Sequence, residues 1–219
     1  KGGELQPLKK THERYADVFA KLGYPIDLTK HQFPVRKVIS AKTQEIIGLS
    51  SKKFIGVAPF AAHRGKMYPL QLIKQVIAQL SNSGDYAVFL FGGGATETAK
   101  LDKLASDFKG VTNMAGKLSF TQELQLISNL DVMLAMDSGN GHLAALYDIA
   151  VVTIWGVTHP FLGFAPFNQP NENQLLADRT KYPLVPTSVY GNTYPDGYEK
   201  AIETISPGTV VEKVLSVLT

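Results

Sequence analysis

The sequence has no cysteine, a single tryptophan, and no apolar run near the roughly 18 residues that a membrane-crossing helix requires. The first absence excludes zinc–cysteine sites, iron–sulfur clusters, thiol nucleophiles and disulfide frameworks together. A strong charge of either sign is also missing. Lys and Arg number 22 against 19 Asp and Glu, a formal charge of +3, too little to argue for a nucleic-acid partner. The five histidines, at 12, 31, 63, 142 and 159, show no metal-ligand spacing, and neither His-Glu-x-x-His nor an Asp-x-Asp pair occurs. No metal and no cofactor is therefore expected. The first ten residues do not read as a secretion signal. What remains, 219 residues with 44% apolar and 19% charged, describes a soluble domain able to bury roughly 70% of the surface its unfolded chain exposes. The chain starts with lysine, which reads as a piece of something longer.

Periodicity divides the chain. Thr11 is a plausible helix N-cap, followed by Tyr15, Val18, Phe19 and Leu22 at helical spacing and a stop at Gly23. A polar stretch follows, then a short helix over 43–49. This first part, 1–50, reads as an inter-domain helix and linker. From 54 onward short apolar strands (54–58, 86–91, 111–114, 131–136, 150–155) alternate with amphipathic helices (69–80, 95–108, 119–128, 139–147), and a last helix over 207–218 has Ser206 as N-cap and Pro207 at its first position. Alternation of this kind implies right-handed βαβ units and an open parallel sheet. The fold class is α/β, Rossmann-like, over 51–219. Residues 157–196 carry half of the twelve prolines and little periodicity, and are expected to be mostly ordered loop.

Ligands of open parallel sheets bind beyond the carboxyl ends of the strands, and four strand-end loops carry unusual residues. Asp137-Ser138-Gly139-Asn140-Gly141-His142 opens a helix directly after a strand; two glycines admit a phosphate to the backbone, and the helix start offers free N–H groups and about half a positive charge. A simple capped turn with a surface histidine is the plainer alternative. Residues 59–66, with Ala61, Ala62, Arg64 and Lys66, suit a diphosphate, yet a solvated basic loop fits the pattern equally well. It is not a P-loop, because Met67 follows Lys66 and no glycine precedes Gly65 by five. Gly92-Gly93-Gly94-Ala95-Thr96-Glu97 lacks the third glycine of a dinucleotide fingerprint; Glu97 suits a ribose or base, and a tight turn suits the glycines alone. Residues 116–119 read only as a loop and cap. Ser138 lacks the flanking glycines of a nucleophile elbow.

Together these loops resemble the C-terminal domain of glycosyltransferase family 9, the ADP-heptose:lipopolysaccharide heptosyltransferases. The likeness rests on Asp137-Ser138-Gly139-Asn140-Gly141-His142-Leu143-Ala144-Ala145, on the small turn with Lys66, Tyr68 and Pro69, on the glycine turn with Glu97 and on residues 116–119. Residues 11–15 resemble the inter-domain stretch of those enzymes. The resemblance implies the C-terminal half of a GT-B fold, a donor-binding domain whose catalytic base lies in an N-terminal domain, so that no catalytic residue is expected in this chain. It implies backbone donors at Ala61 and Ala62, a charge at Lys66, phosphate contacts at Ser138 and Gly139, Asp137 and His142 near the sugar end, and Glu97 and Leu118 around ribose and adenine. Two departures stand out: the Ala61-Ala62 pair lacks the hydroxyls often found there, and Tyr68 stands where Trp is commoner.

The implied function is transfer of heptose, or a related sugar, from an ADP-sugar to the lipopolysaccharide inner core, in the cytoplasm at the inner face of the bacterial inner membrane. A lipid A–core oligosaccharide is the implied acceptor, met through the absent domain, with at most peripheral membrane contact. The whole enzyme would then have roughly 350 residues in two domains of common size, and the fragment alone would be inactive. The alternatives are a nucleotide-binding module with no activity of its own and a sugar-nucleotide epimerase of GT-B architecture.

Overall fold

A computed structural model of the chain describes residues 5–48 and 51–218. Six strands form one all-parallel sheet: β1 (Lys53–Ala58), β2 (Tyr86–Leu90), β3 (Val111–Asn113), β4 (Val132–Met136), β5 (Ala150–Trp155) and β6 (Gln174–Leu176). Helices α1 (Thr11–Lys21) and α2 (Ala41–Ile47) precede the sheet; α3 (Leu70–Asn82), α4 (Gly94–Ser106), α5 (Phe120–Ile127) and α6 (Gly139–Leu146) connect its strands, and α7 (Pro207–Leu218) closes the chain. The spatial order is β3-β2-β1-β4-β5-β6. Strand order therefore reverses between β1 and β4, which pair from Ile55 opposite Val132 to Ala58 opposite Ala135. A crevice opens at such a reversal because the loops leaving the two strands diverge to opposite faces.

Both faces of the sheet are covered, which is why its strands read as continuous apolar runs. Ile55, Val57, Val88, Leu90, Leu134, Val152 and Ile154 meet α3, α4 and α7 on one face. Phe89, Met133, Ala135 and Val151 meet α5 and α6 on the other, where Ile46 and Ile47 of α2 also pack. The alternation within each strand follows the two-residue period of the pleat.

Most expected elements are present with ends shifted by one to three residues. Ser119 and Gln122 form a reciprocal capping box on α5, and Ser206 accepts from Thr209 N–H at 3.1 Å at the start of α7. Two expectations are corrected, and a third holds with one element added. Thr11 is the first helical residue and not the cap, which is Lys10; the Lys10 N–H donates to the Glu13 carboxylate at 2.9 Å, and the Thr11 hydroxyl instead donates to Gly163 O at 2.9 Å. The helix expected over 43–49 begins at Ala41 behind Ser40, and residue 49 lies outside the described residues. The 157–196 segment contains β6, a three-residue edge strand pairing Thr153 opposite Gln174, too short to show a period.

Residues 5–48 lie against the sheet domain. Leu8 N–H and Thr11 N–H donate to the carbonyls of Phe161 and Gly163, each at 2.8 Å, and the Lys37 N–H donates to Ser128 Oγ at 3.0 Å. The apolar stripe of α1 does not face this contact: Tyr15, Val18, Phe19 and Leu22 are all exposed.

Candidate functional site

The crevice at the strand reversal is built by the loops after β1 and β4. Asp137 directly follows β4 and is buried; Lys66 ends a 3₁₀ turn, Arg64–Lys66, that follows β1. Their side chains form an ion pair at 2.9 Å, with Lys66 14% and Asp137 9% exposed. Thr158, buried beyond the end of β5, donates its hydroxyl to the same carboxylate oxygen, Asp137 Oδ2, at 3.0 Å. Asp137 Oδ1 has no hydrogen-bond or ion-pair partner among the described residues. Nothing in the sequence near Thr158 announces this role.

Lys66 is held from below. Its aliphatic stem lies so close to Gly191 that a Cβ there would sit 2.6 Å from Lys66 Cγ, and Gly191 has φ +73°. The turn carrying Lys66 is pinned by Val157 N–H, which donates to Gly65 O at 3.0 Å. Tyr68 locks its far end: the ring is buried, its hydroxyl donates to Ile205 O at 2.5 Å, and burial, aided by Glu203, pushes its pKa up to about 12. Gly191→Ala adds both left-handed strain of about 1–2 kcal/mol and a clash with the Lys66 stem, with Thr158 Cγ2 also crowded at 3.1 Å. It is expected to weaken nucleotide-diphosphate binding about tenfold and to lower the melting temperature by roughly 2–8 °C, checked by calorimetry and a thermal scan on the same sample.

The start of α6 lies beside this pair. Ser138 occupies the N-cap but makes no capping hydrogen bond, and its Oγ is buried with no partner among the described residues. The first N–H groups of a helix lack intrahelical acceptors, so the Gly139 end presents unused donors and about half a positive charge. Lys66 is already balanced by Asp137. The net pull on an anion at this point therefore comes mainly from the helix terminus.

Ser138, Gly139, Ala61, Ala62, Glu97 and the Gly92–Gly93 backbone line one cavity of about 320 Å³. Six of the expected residues thus either line it or, as Asp137 does, adjoin it in the chain. Glu97 is turned back on its own helix: its carboxylate accepts from Gly93 N–H at 2.8 Å, which fixes one oxygen and the glycine turn together. Leu118 is not brought in; it packs against the second face of the core. His142 opens instead into a smaller cavity of about 200 Å³ under α1, with His12, Tyr15 and Phe167. Desolvation pulls its pKa down while Asp137 pushes it up, which places the ring near the ion pair but not in the larger cavity. Among the described residues no cluster of three or more His, Asp or Glu has metal-binding geometry, and no helix is long and apolar enough to cross a membrane.

His159, next to Thr158, has a different consequence. It is 5% exposed, its Nδ1 accepts from Phe161 N–H at 3.1 Å, and burial with help from Arg179 lowers its pKa to about 4. The unfolded chain, with an ordinary histidine pKa near 6.5, takes up the proton first as pH falls. Stability is therefore full above about 6.5 and is lost between 6.5 and 4, by about 2 kcal/mol at pH 5. His159→Asn, which keeps an acceptor for Phe161, is expected to remove that part of the pH dependence in urea unfolding at pH 7.5 and 5.

The domain is thus a Rossmann-like parallel sheet with an uncapped helix start, two small-residue turns and a buried Lys–Asp pair at its strand reversal. The family model for glycosyltransferase family 9 (heptosyltransferase) matches residues 6–193. The chain belongs to that family. Among its relatives are lipooligosaccharide heptosyltransferase 2 of Campylobacter jejuni, 25% identical over 174 residues, which cover 77% of this chain and 52% of the relative. Another is lipopolysaccharide heptosyltransferase 3 of Escherichia coli, 28% identical over 160 residues, covering 70% and 46%. The solved E. coli ADP-heptose lps heptosyltransferase II superposes with a TM-score of 0.67 at 21% identity, over 96% of this chain and 62% of that one. A family 9 glycosyl transferase from Veillonella parvula gives 0.72 at 16%, over 99% and 62%. These likenesses support a domain of the GT-B type. The chain spans about half the length of the curated relatives it matches.

Proposed function

We propose that the crevice holds the diphosphate of an ADP-sugar, with ADP-heptose as donor, and that the complete protein transfers heptose to the lipopolysaccharide inner core. In this reading residues 1–50 are the inter-domain helix and linker, and 51–219 the donor-binding domain. One observation carries it: the unpartnered Ser138 Oγ and free helix start lie in a cavity that the Ala61–Ala62 turn also lines, beside Lys66 and Asp137. Ser138, Gly139 and the Ala61 and Ala62 N–H groups bind phosphate oxygens. Glu97, half spent on Gly93, keeps an oxygen for a ribose hydroxyl. Asp137 Oδ1 and His142 serve the sugar end, and Leu118 contributes to the base side only by backing the loop.

Cleavage of the sugar–phosphate bond passes through an oxocarbenium-like centre while negative charge grows on the departing ADP. Preorganised N–H donors and the helix terminus stabilise that charge without reorganisation, with Lys66 in place of a metal. The acceptor hydroxyl belongs to the lipopolysaccharide core, met at the cytoplasmic face of the inner membrane, and the base that takes its proton belongs to an N-terminal domain of the complete protein.

Lys66→Ala is expected to weaken ADP binding by about 1–3 kcal/mol, the range for hydrogen bonds to charged groups, and chelator is expected to leave the affinity unchanged. Calorimetric titration of ADP and UDP into both proteins is the test. Equal affinities in wild type and variant would sink the assignment. In the complete protein, nucleotide release from a panel of sugar nucleotides identifies the donor.

A further inference from the structure

Behind Thr158, on the side away from Asp137, lies a second cavity of about 400 Å³, lined by Leu5, Phe161, Leu176, Gln174, His159 and Arg179 among others. It shares no residue with the nucleotide cavity. His159 is extended (φ −151°, ψ 145°), and successive side chains of extended chain point to opposite sides: Thr158 toward Asp137, His159 into this second space. With Nδ1 accepting from Phe161 N–H, the neutral ring carries its proton on Nε2, and that donor has no partner among the described residues. Arg179 donates Nε to Val185 O at 2.8 Å; its terminal amino groups likewise have no partner among the described residues and make no ion pair. Arg179 is close enough to His159 to disfavour its protonation.

Among the described residues no carboxylate lines this cavity. Asp178, the nearest acid in sequence, is turned away, accepting from the Thr180 N–H and hydroxyl at 2.8 and 2.6 Å, and Glu172 is exposed on the turn before β6. Gln174 is spent on the Trp155 indole N–H, at 2.8 Å, and on Pro170 O. The space therefore offers unpaired donors and a guanidinium fork over walls of Leu5, Phe161 and Leu176. Arg179 is half-buried, and a ligand that supplies acceptors to its unused donors gains charge-assisted hydrogen bonds there.

We infer that this cavity is an oxyanion-binding site, separate from the nucleotide crevice, that takes a phosphate or carboxylate borne on an apolar body, with Arg179 as the fork and His159 Nε2 as the second donor. The inference does not depend on the proposed donor. Its test is a titration of inorganic phosphate, and separately of acetate, into the isotopically labelled chain, following the His159 ring and the Ser138 and Gly139 amides by NMR. The expected result is a saturable His159 shift, with the ring's pKa moving up on binding. The affinity falls at least tenfold in Arg179→Gln, falls less in Arg179→Lys, which keeps the charge if glutamine unfolds the loop, and is unchanged in Lys66→Ala. A response to phosphate alone marks a phosphorylated ligand, and a response to acetate alone a carboxylic acid. No saturable shift with either anion, a shift that survives loss of Arg179, or one that disappears with Lys66 overturns the inference.

Discussion

Lys66→Met is expected to lower the unfolding free energy by about 3 kcal/mol, because it leaves the Asp137 carboxylate buried with only the Thr158 hydroxyl as partner. Breaking a buried pair from one side typically destabilises by 3–5 kcal/mol; the low end applies here because the pair borders an open crevice. Asp137→Asn is expected to lose less, about 1–2 kcal/mol. Lysine sits on a flexible stem that can carry its charge into water, whereas the short aspartate side chain cannot leave its place at the end of β4. The double variant should then be more stable than the two losses summed, with a coupling within the 0.5–3 kcal/mol found for contacting residues. Urea unfolding of the four proteins closes the cycle. Additive losses would mean that the two charges are solvated independently and that the pair does not organise the crevice.

Gly156→Ala is expected to be comparably damaging for a reason of shape alone. A Cβ at 156 would lie 2.2 Å from Gly65 O and 3.2 Å from Ile202 Cβ. Unlike the Lys66 stem facing Gly191, a backbone carbonyl and a buried core residue cannot swing aside. Either β5 and the Lys66 turn separate, which breaks the Val157-to-Gly65 hydrogen bond, or the core around Ile202 shifts; overpacking of this kind costs roughly 1–3 kcal/mol and occasionally more. Because the separated turn carries Lys66, ADP affinity should fall together with stability. Comparison with Gly191→Ala, which acts on the Lys66 stem and leaves the contact of β5 with the turn in place, tells a positional effect on Lys66 from separation of the turn. Equal stability of Gly156→Ala and wild type would show that the turn does not rest on β5.

Much of the fold was readable because its cues are local. The runs in β1, β2, β4 and β5, the 3.6-residue stripes of α3 and α5, the Ser119–Gln122 box and Ser206 are each settled by neighbours a few residues apart. The Asp137–His142 motif was readable for the same reason: strand end, two glycines and helix start are contiguous. The features that failed depend on distant chain. β6 is three residues whose only signature is its pairing with β5. Thr11 resembles a cap but bonds to a carbonyl 152 residues away.

By itself, then, the amino-acid order determined an α/β chain with a parallel sheet and an anion-receptive helix start after β4, since periodicity, capping and glycine placement act over one or two turns. The tertiary structure decided what the receptive start is joined to. Only the reversal of strand order between β1 and β4 sets Lys66 against Asp137. Only the irregular segment beyond β5 delivers Thr158 to the carboxylate, Gly191 to the lysine stem, and His159 with Arg179 to a cavity of their own. Those contacts are fixed by backbone pairing and close packing between residues 20 to 125 apart in sequence, a distance over which no local pattern operates.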